Sequence, residues 1–197
     1  MAINDWPPVW GPKTIRYLQL GGEDEAERRA HQLWQKALTL CWPLAWQRLV
    51  SMQEFLDIFH PHAGQSQALK RLLKESDQVA LLAVSLGAKP EERSRELLGE
   101  DEIFDGFMID RMGSYLVEWC MSGLDRELTR EMTAQGLSTT HRYSPGYQDF
   151  PLEAQEVFVS LARKDIPCLT VRENFSLYPE KSVTALKGIG PILDRKP

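Results

Sequence analysis

Apolar residues recur at spacings of three and four from Phe104 through Phe107, Met108, Met112, Tyr115, Leu116, Trp119, Cys120, Leu124 and Leu128. This stripe predicts one long helix over 103–135, stopped at Gly136, and that helix is the expected backbone of the core. A second helix is predicted over 23–40. There Ala26, Ala30, Leu33, Trp34, Ala37 and Leu38 keep helical spacing, acidic residues crowd the first turn, and Pro43 blocks continuation. Shorter helices are expected over 67–74, over 91–98 behind Pro90, and over 152–163. The continuous apolar run 79–84, closed by Gly87, predicts a buried strand. Weaker signals mark strands over 15–20 (ending at Gly21-Gly22), 138–143, 168–173 and 182–186. Residues 45–59 fit either a strand (46–52) or a helix, and periodicity leaves both open; residues 1–13 read as an irregular lead-in. Helices mixed with strands outside regular βαβ alternation imply an α+β fold: a single domain over 1–197 with a mainly antiparallel twisted sheet and flanking helices. No internal repeat or low-complexity tract breaks it.

Composition narrows the classes of function. The chain has 197 residues, 43% of them hydrophobic, and a formal charge of −5, which suits one soluble domain able to bury its own core. Mild acidity without a clustered basic face argues against nucleic acid as a partner. Interleaved charges over 23–29 and 91–96 read as solvated helix faces. No apolar run approaches the roughly 18 residues that span a bilayer, and residues 1–10 lack a basic stretch followed by an apolar one, so no membrane partner is expected and the expected location is the cytoplasm. Cys41, Cys120 and Cys168 are odd in number and form no CxxC pair. They are expected to be buried structural thiols, not a disulfide framework or a zinc ribbon.

The chain carries no GxSxG elbow, Walker loop, HExxH or GxGxxG, and three places remain to be weighed. His60-Pro61-His62, with Asp57 before it, offers metal-ligand types, but a proline between two histidines in a polar loop reads as a loop, and no metal is expected. Glu118 falls at the edge of the long helix's apolar stripe, on the side of Phe107, Arg111 and Tyr115. Alone it reads as a solvated or arginine-paired carboxylate. In His141-Arg142-Tyr143-Ser144-Pro145-Gly146-Tyr147, Pro145-Gly146 forces a turn, and an arginine beside a turn can clamp a carboxylate in bidentate fashion. From the residues alone, an ordinary turn flanked by aromatics accounts for the segment.

The grouping of Arg142-x-Ser144-Pro145-Gly146-Tyr147, a helix opening at Pro151-Leu152-Glu153, then Glu173-Asn174-Phe175-Ser176-Leu177-Tyr178-Pro179 and Lys181-Ser182-Val183, resembles the activation domain of cobalamin-dependent methionine synthase, above all the stand-alone proteins of that family. The resemblance covers residues 76–190, with 1–75 matched loosely. It implies S-adenosylmethionine as ligand, and as function the rescue of a corrinoid in the Co(II) state by one-electron reduction coupled to methyl transfer. Co(II) reduction is uphill, and immediate methylation of Co(I) pulls it forward, so the domain acts by positioning. By the resemblance Arg142 contacts S-adenosylmethionine. Ser144 and Gly146 fall where backbone meets the ligand, Glu118 faces its ammonium or sulfonium, and Tyr147 faces the corrin as the residue nearest the chemistry. Where the full-length enzymes continue Ser-Val with Ser-Gly, an aromatic and a tyrosine, this chain has Thr184-Ala185-Leu186-Lys187, and Lys187 is the candidate contact on that side. The histidine-ligation pattern Asp-x-His-x-x-Gly is absent too: Asp57, His60 and Gly64 are each one residue too far apart.

No cobalamin, homocysteine or folate domain fits in this length. The corrinoid is therefore expected on a partner, a methionine synthase-like methyltransferase, with an electron donor such as flavodoxin or ferredoxin. The chain is then an accessory of methionine biosynthesis more than an enzyme by itself. Two other readings stand beside it: a scaffold subunit that kept the fold and lost the ligand, and an enzyme that methylates some other acceptor.

Overall fold

Six consecutive apolar residues at 79–84 need cover on both faces, because alternate side chains of a strand point to opposite sides. A computed structural model, which describes residues 6–21 and 25–191, gives them that cover. The segment is β2 (Gln78–Ser85), an inner strand of a four-stranded antiparallel sheet in the order β1 (Leu44–Ser51), β2, β6 (Ser182–Pro191), β3 (Leu137–Thr139). Ala80, Leu82 and Val84 pack with Ala185 and Ile189 against α2 (Glu25–Leu40) and the long α7 (Ile103–Ala134). Val79, Leu81 and Ala83 pack with Trp46 and Leu186 on the other face, against α3 (Met52–Ile58), α5 (Gln67–Leu72) and α8 (Gln155–Ala162). Two helical layers thus enclose an α+β domain. The remaining elements are α1 (Pro12–Leu18), α4 (His62–Gln65), α6 (Lys89–Gly99), a 3-10 turn (Leu152–Ala154) leading into α8, and a small ribbon of β4 (Thr170–Val171) with β5 (Leu177–Tyr178).

Several expectations change. Residues 15–20 do not form a strand: α1 covers them as far as Leu18, with Pro12 at its first positions, and its buried pair Thr14 and Leu18 is four residues apart, a helical period. The ambiguous 45–59 is strand followed by helix. Ser51 ends β1 and caps α3, its Oγ accepting the Glu54 N–H at 3.1 Å, so the period changes within the window. The strand expected over 168–173 shrinks to β4 and lies outside the main sheet, while that of 182–186 lengthens into β6. Cys120 is buried and Cys41 half-buried, but Cys168 is exposed, since the turn after α8 leaves it on the surface. Burial pushes the Cys41 thiol up to about 12. His60 is exposed, His62 opens α4, and among the described residues no three or more His, Cys, Asp or Glu side chains could hold a metal. No helix of the described residues is long and apolar enough to cross a membrane. The expected strand end at Gly22, the helix start at Glu23 and the first five residues of the lead-in lie outside the described residues.

Two lysines fasten α7 to the sheet. Lys187 on β6, its side chain only 5% exposed, gives its ammonium to Asp125 and to Thr129 Oγ1, the latter at 2.8 Å. Lys181, just before β6 and 7% exposed, reaches Asp110 at 2.6 Å and Ser114 Oγ at 3.0 Å. Its stem lies across Gly113, where a Cβ would stand 3.1 Å from the Lys181 Cε. The spacings match. Asp110 to Asp125 is about 22 Å of helix and Lys181 to Lys187 about 20 Å of strand, so α7 runs parallel to β6 with both pairs closed.

A third tie joins the segment after β3 to the opposite layer. Asp149 accepts from Ser66 Oγ at 2.6 Å and from the Gln67 and Ala68 N–H groups at 2.7 and 3.3 Å, capping α5. The Ser66 hydroxyl, helped by these backbone donors, holds the Asp149 carboxyl below the usual aspartate range.

Two outcomes are expected. Asp125→Ala strands a buried ammonium and lowers unfolding stability by about 3 kcal/mol, and adding Lys187→Met restores most of it; urea denaturation with the single variant as stable as the parent contradicts this. A lowered Asp149 pKa means that its contribution is complete above the unfolded value and fades as pH falls through the folded one. The difference in melting temperature between parent and Asp149→Asn should therefore shrink below about pH 4, and a difference that grows there contradicts the assignment.

Candidate functional site

Glu118, Ser122 and Asp125 are four and three residues apart on α7 and share one helix face. Across from them runs the segment after β3, stitched to β6. The Thr140 N–H donates to the Gly188 carbonyl at 2.9 Å, while Tyr143 and Leu186 exchange both backbone bonds at 2.9 and 2.8 Å. Arg142, between these stitches, extends over the helix. Its Nη2 lies 3.6 Å from Glu118 Oε2 and 3.5 Å from Ser122 Oγ, and its Nε lies 3.4 Å from Asp125 Oδ2.

The expected turn follows. The Tyr147 N–H donates to the Ser144 carbonyl at 3.2 Å, with Pro145 and Gly146 at the two central positions and Gly146 at φ 87°, the pattern of a type II turn. Here glycine is required, because an L side chain at that φ is strained. The Gly146 N–H donates to the Phe150 carbonyl at 2.8 Å, and Ser144 Oγ donates to the Thr184 carbonyl at 2.7 Å. The Tyr143 hydroxyl donates to the Tyr147 carbonyl at 3.1 Å, and its ring stacks on Phe150. With Asp149 tied to α5, the loop is anchored on both sides.

Between loop and helix lies a groove of about 560 Å³, a volume ordinary for a small-molecule site. Glu118 and Asp125 form its helix wall, and Arg142, Ser144, Pro145 and Tyr147 its loop wall. Val183, Thr184 and Leu177 lie along it, with Gln155 accepting from the Thr184 hydroxyl at 2.5 Å. Tyr147 stands on the rim at 65% exposure. The structure therefore brings together Glu118, Arg142, Ser144 and Tyr147. It leaves Gly146 behind the wall, and it turns Lys187 inward onto Asp125, where it reaches the groove only through that carboxylate.

Sequence reasoning missed Asp125, Thr184 and Gln155. Asp125 had a signal, since it lies seven residues, two helical turns, beyond Glu118. Thr184 and Gln155 had none, because their meeting depends on how α8 packs on β6. Chemically the groove offers a guanidinium with forked donors, two carboxylates 3.4–3.6 Å from it, and apolar surface at Pro145, Leu177 and Val183. A zwitterion with an apolar body matches that set.

No family model matches the chain, and no curated protein matches it. Among solved structures it is similar to a crystal structure of the MetH reactivation domain bound to AdoHcy, with a TM-score of 0.52 and 13% identity over 96% of this chain and 72% of that one. At this identity the likeness is one of architecture, and in architecture the chain is a neighbour of the MetH reactivation domain.

Proposed function

We propose that the chain binds S-adenosylmethionine in the groove between α7 and the 141–147 loop, and that it serves the reductive methylation of a corrinoid carried by a separate methionine synthase-like methyltransferase. The observation that carries this reading is the facing of Arg142 with Glu118 and Asp125 in one groove, on a fold shared with a domain solved with AdoHcy bound. The residues suit the ligand. Arg142 matches its carboxylate, the two α7 carboxylates match its ammonium and sulfonium, and Pro145, Leu177 and Val183 supply apolar surface for its adenosyl part.

Arg142's present contacts, at 3.4–3.6 Å, are longer than the roughly 2.7–2.9 Å of a charge-assisted bond. A ligand carboxylate offering short bidentate bonds can thus take the guanidinium with little loss, and Glu118 is then released toward the positive end of the ligand. S-adenosylmethionine supplies the electrophilic methyl group. The protein's own work is to hold the donor in a groove whose hydrogen-bonded walls need little rearrangement. Tyr147 on the rim is the side chain placed to meet a partner's corrin, and the electron donor, flavodoxin or ferredoxin in kind, acts from outside.

Two observations favour the scaffold reading: Arg142 is already paired with Glu118 and Asp125, and Lys187 is turned away. Under that reading a corrinoid methyltransferase is captured equally with and without S-adenosylmethionine, and the groove binds nothing.

Calorimetric titration separates the two. Binding of S-adenosylmethionine is expected, and no heat at millimolar ligand with the fold intact removes the proposal. Arg142→Ala should weaken binding by at least about tenfold, as for a lost charged hydrogen bond, and an unchanged affinity contradicts its role. Glu118→Gln should cost S-adenosylmethionine several-fold more affinity than the uncharged thioether S-adenosylhomocysteine. Equal losses would mean that Glu118 does not face the sulfonium.

A further inference from the structure

The acidity of the chain is concentrated. From Glu91 to Asp110 eight acids stand against two bases, a net charge of −6, larger than the −5 of the whole chain. These residues form most of α6, the turn after it and the first two turns of α7, and a second groove of about 420 Å³ opens along them. Leu98, Ile103 and Phe107, all exposed, line it together with Glu91, Asp110 and Glu180, and Arg95 flanks it. Three exposed apolar side chains thus stand along one groove beside carboxylates.

Most of the acids are served from within. Arg29 holds Glu102 and Asp105, Arg93 holds Glu96 and lies 3.7 Å from Glu100, and Lys181 holds Asp110. Glu91 differs. Its side chain is 3% exposed, and its Oε2 accepts the Glu180 N–H at 2.5 Å. Its Oε1 is buried without a hydrogen-bond partner, and its charge is met only at long range, by the exposed Arg95 guanidinium 3.8 Å away and by Arg172. Burial pushes the Glu91 carboxyl up, against the pull of the Glu180 N–H. A buried carboxylate oxygen without a donor is costly, and a cation from outside offsets that cost.

We propose that the α6–α7 corner is a docking surface for a partner protein segment that places a lysine or arginine beside apolar residues, with the cation directed to Glu91 and its apolar neighbours covering Leu98, Ile103 and Phe107. The proposal does not rest on ligand binding in the first groove. The Lys181–Asp110 pair stands between the two, Ser182 lining one groove and Glu180 the other.

Nitrogen-15 NMR titration of the full chain with three synthetic peptides of equal length tests it: leucine-lysine, lysine only, and leucine-glutamate. The leucine-lysine peptide should bind at least about tenfold tighter than the other two, with shifts confined to 91–110 and the neighbourhood of Glu180. Phe107→Ala, a surface change expected to leave the melting temperature in place, and Glu91→Gln should each weaken it at least about fivefold. Equal binding of the lysine peptide would reduce the face to diffuse electrostatics. Shifts elsewhere, or an unchanged affinity in Phe107→Ala, overturn the assignment even if Glu91→Gln fails to fold. A concentration-dependent dimer through this face overturns it in favour of a second copy of the chain.

Discussion

Two ammonium groups buried between a helix and a sheet govern the rest of the molecule. A lysine taken out of water is tolerable only with a carboxylate in bonding reach, so Lys181 and Lys187 dictate where Asp110 and Asp125 stand. Apolar packing of its buried stripe, from Met108 through Leu116 and Leu124 to Met132, decides which face of the 32-residue helix meets the sheet. Two ion pairs, fifteen residues apart within the helix, fix its register along the strand, and Gly113 lets the lysine before β6 lie flat against the helix. Buried pairs of this kind add little net stability against a hydrophobic alternative, and their value here is that they fix a position.

That position makes the site. With α7 held, Glu118, Ser122 and Asp125 face the segment stitched to β6, and Arg142 has one direction in which to extend. Asp125 serves both sides, with one oxygen on the buried lysine and the other toward the arginine at the surface. The groove is therefore built from rigid walls and a guanidinium held by charge at long range, an arrangement preformed in shape and exchangeable in partners. The Lys181–Asp110 pair, about four turns nearer the helix start, divides this groove from the acidic one.

Legibility from the sequence followed the strength of local pattern. The helix α7 and the strand β2 were readable because each satisfies a single period over its whole length. Residues 45–59 were not, because Ser51 joins two periods within one window, and residues 15–20 were not, because one buried pair four apart is too short a signal. Within the site, Glu118 and Arg142 were legible through a motif resemblance, and the structure places them against each other. Lys187 shows the limit. It shares its face of β6 with Val183, which lines the groove, but four residues further along the strand it meets Asp125 and Thr129 of α7, so its distance along β6 and not its parity removes it from the groove. Cys168 shows another: its composition suggests burial, and its position in a surface turn overrides that.

The two clamps carry a consequence for how this sequence can change over generations. A helix advances about 1.5 Å per residue and a strand about 3.3 Å, so one residue gained or lost between Asp110 and Asp125 has no whole-residue compensation between Lys181 and Lys187. It also rotates the second acid by about 100° away from its lysine. Natural insertions and deletions in descendants of this chain should therefore be barred from both intervals and gather elsewhere, so that related proteins differing widely in identity and in loop length still keep the same count of residues between the two helix acids and between the two lysines.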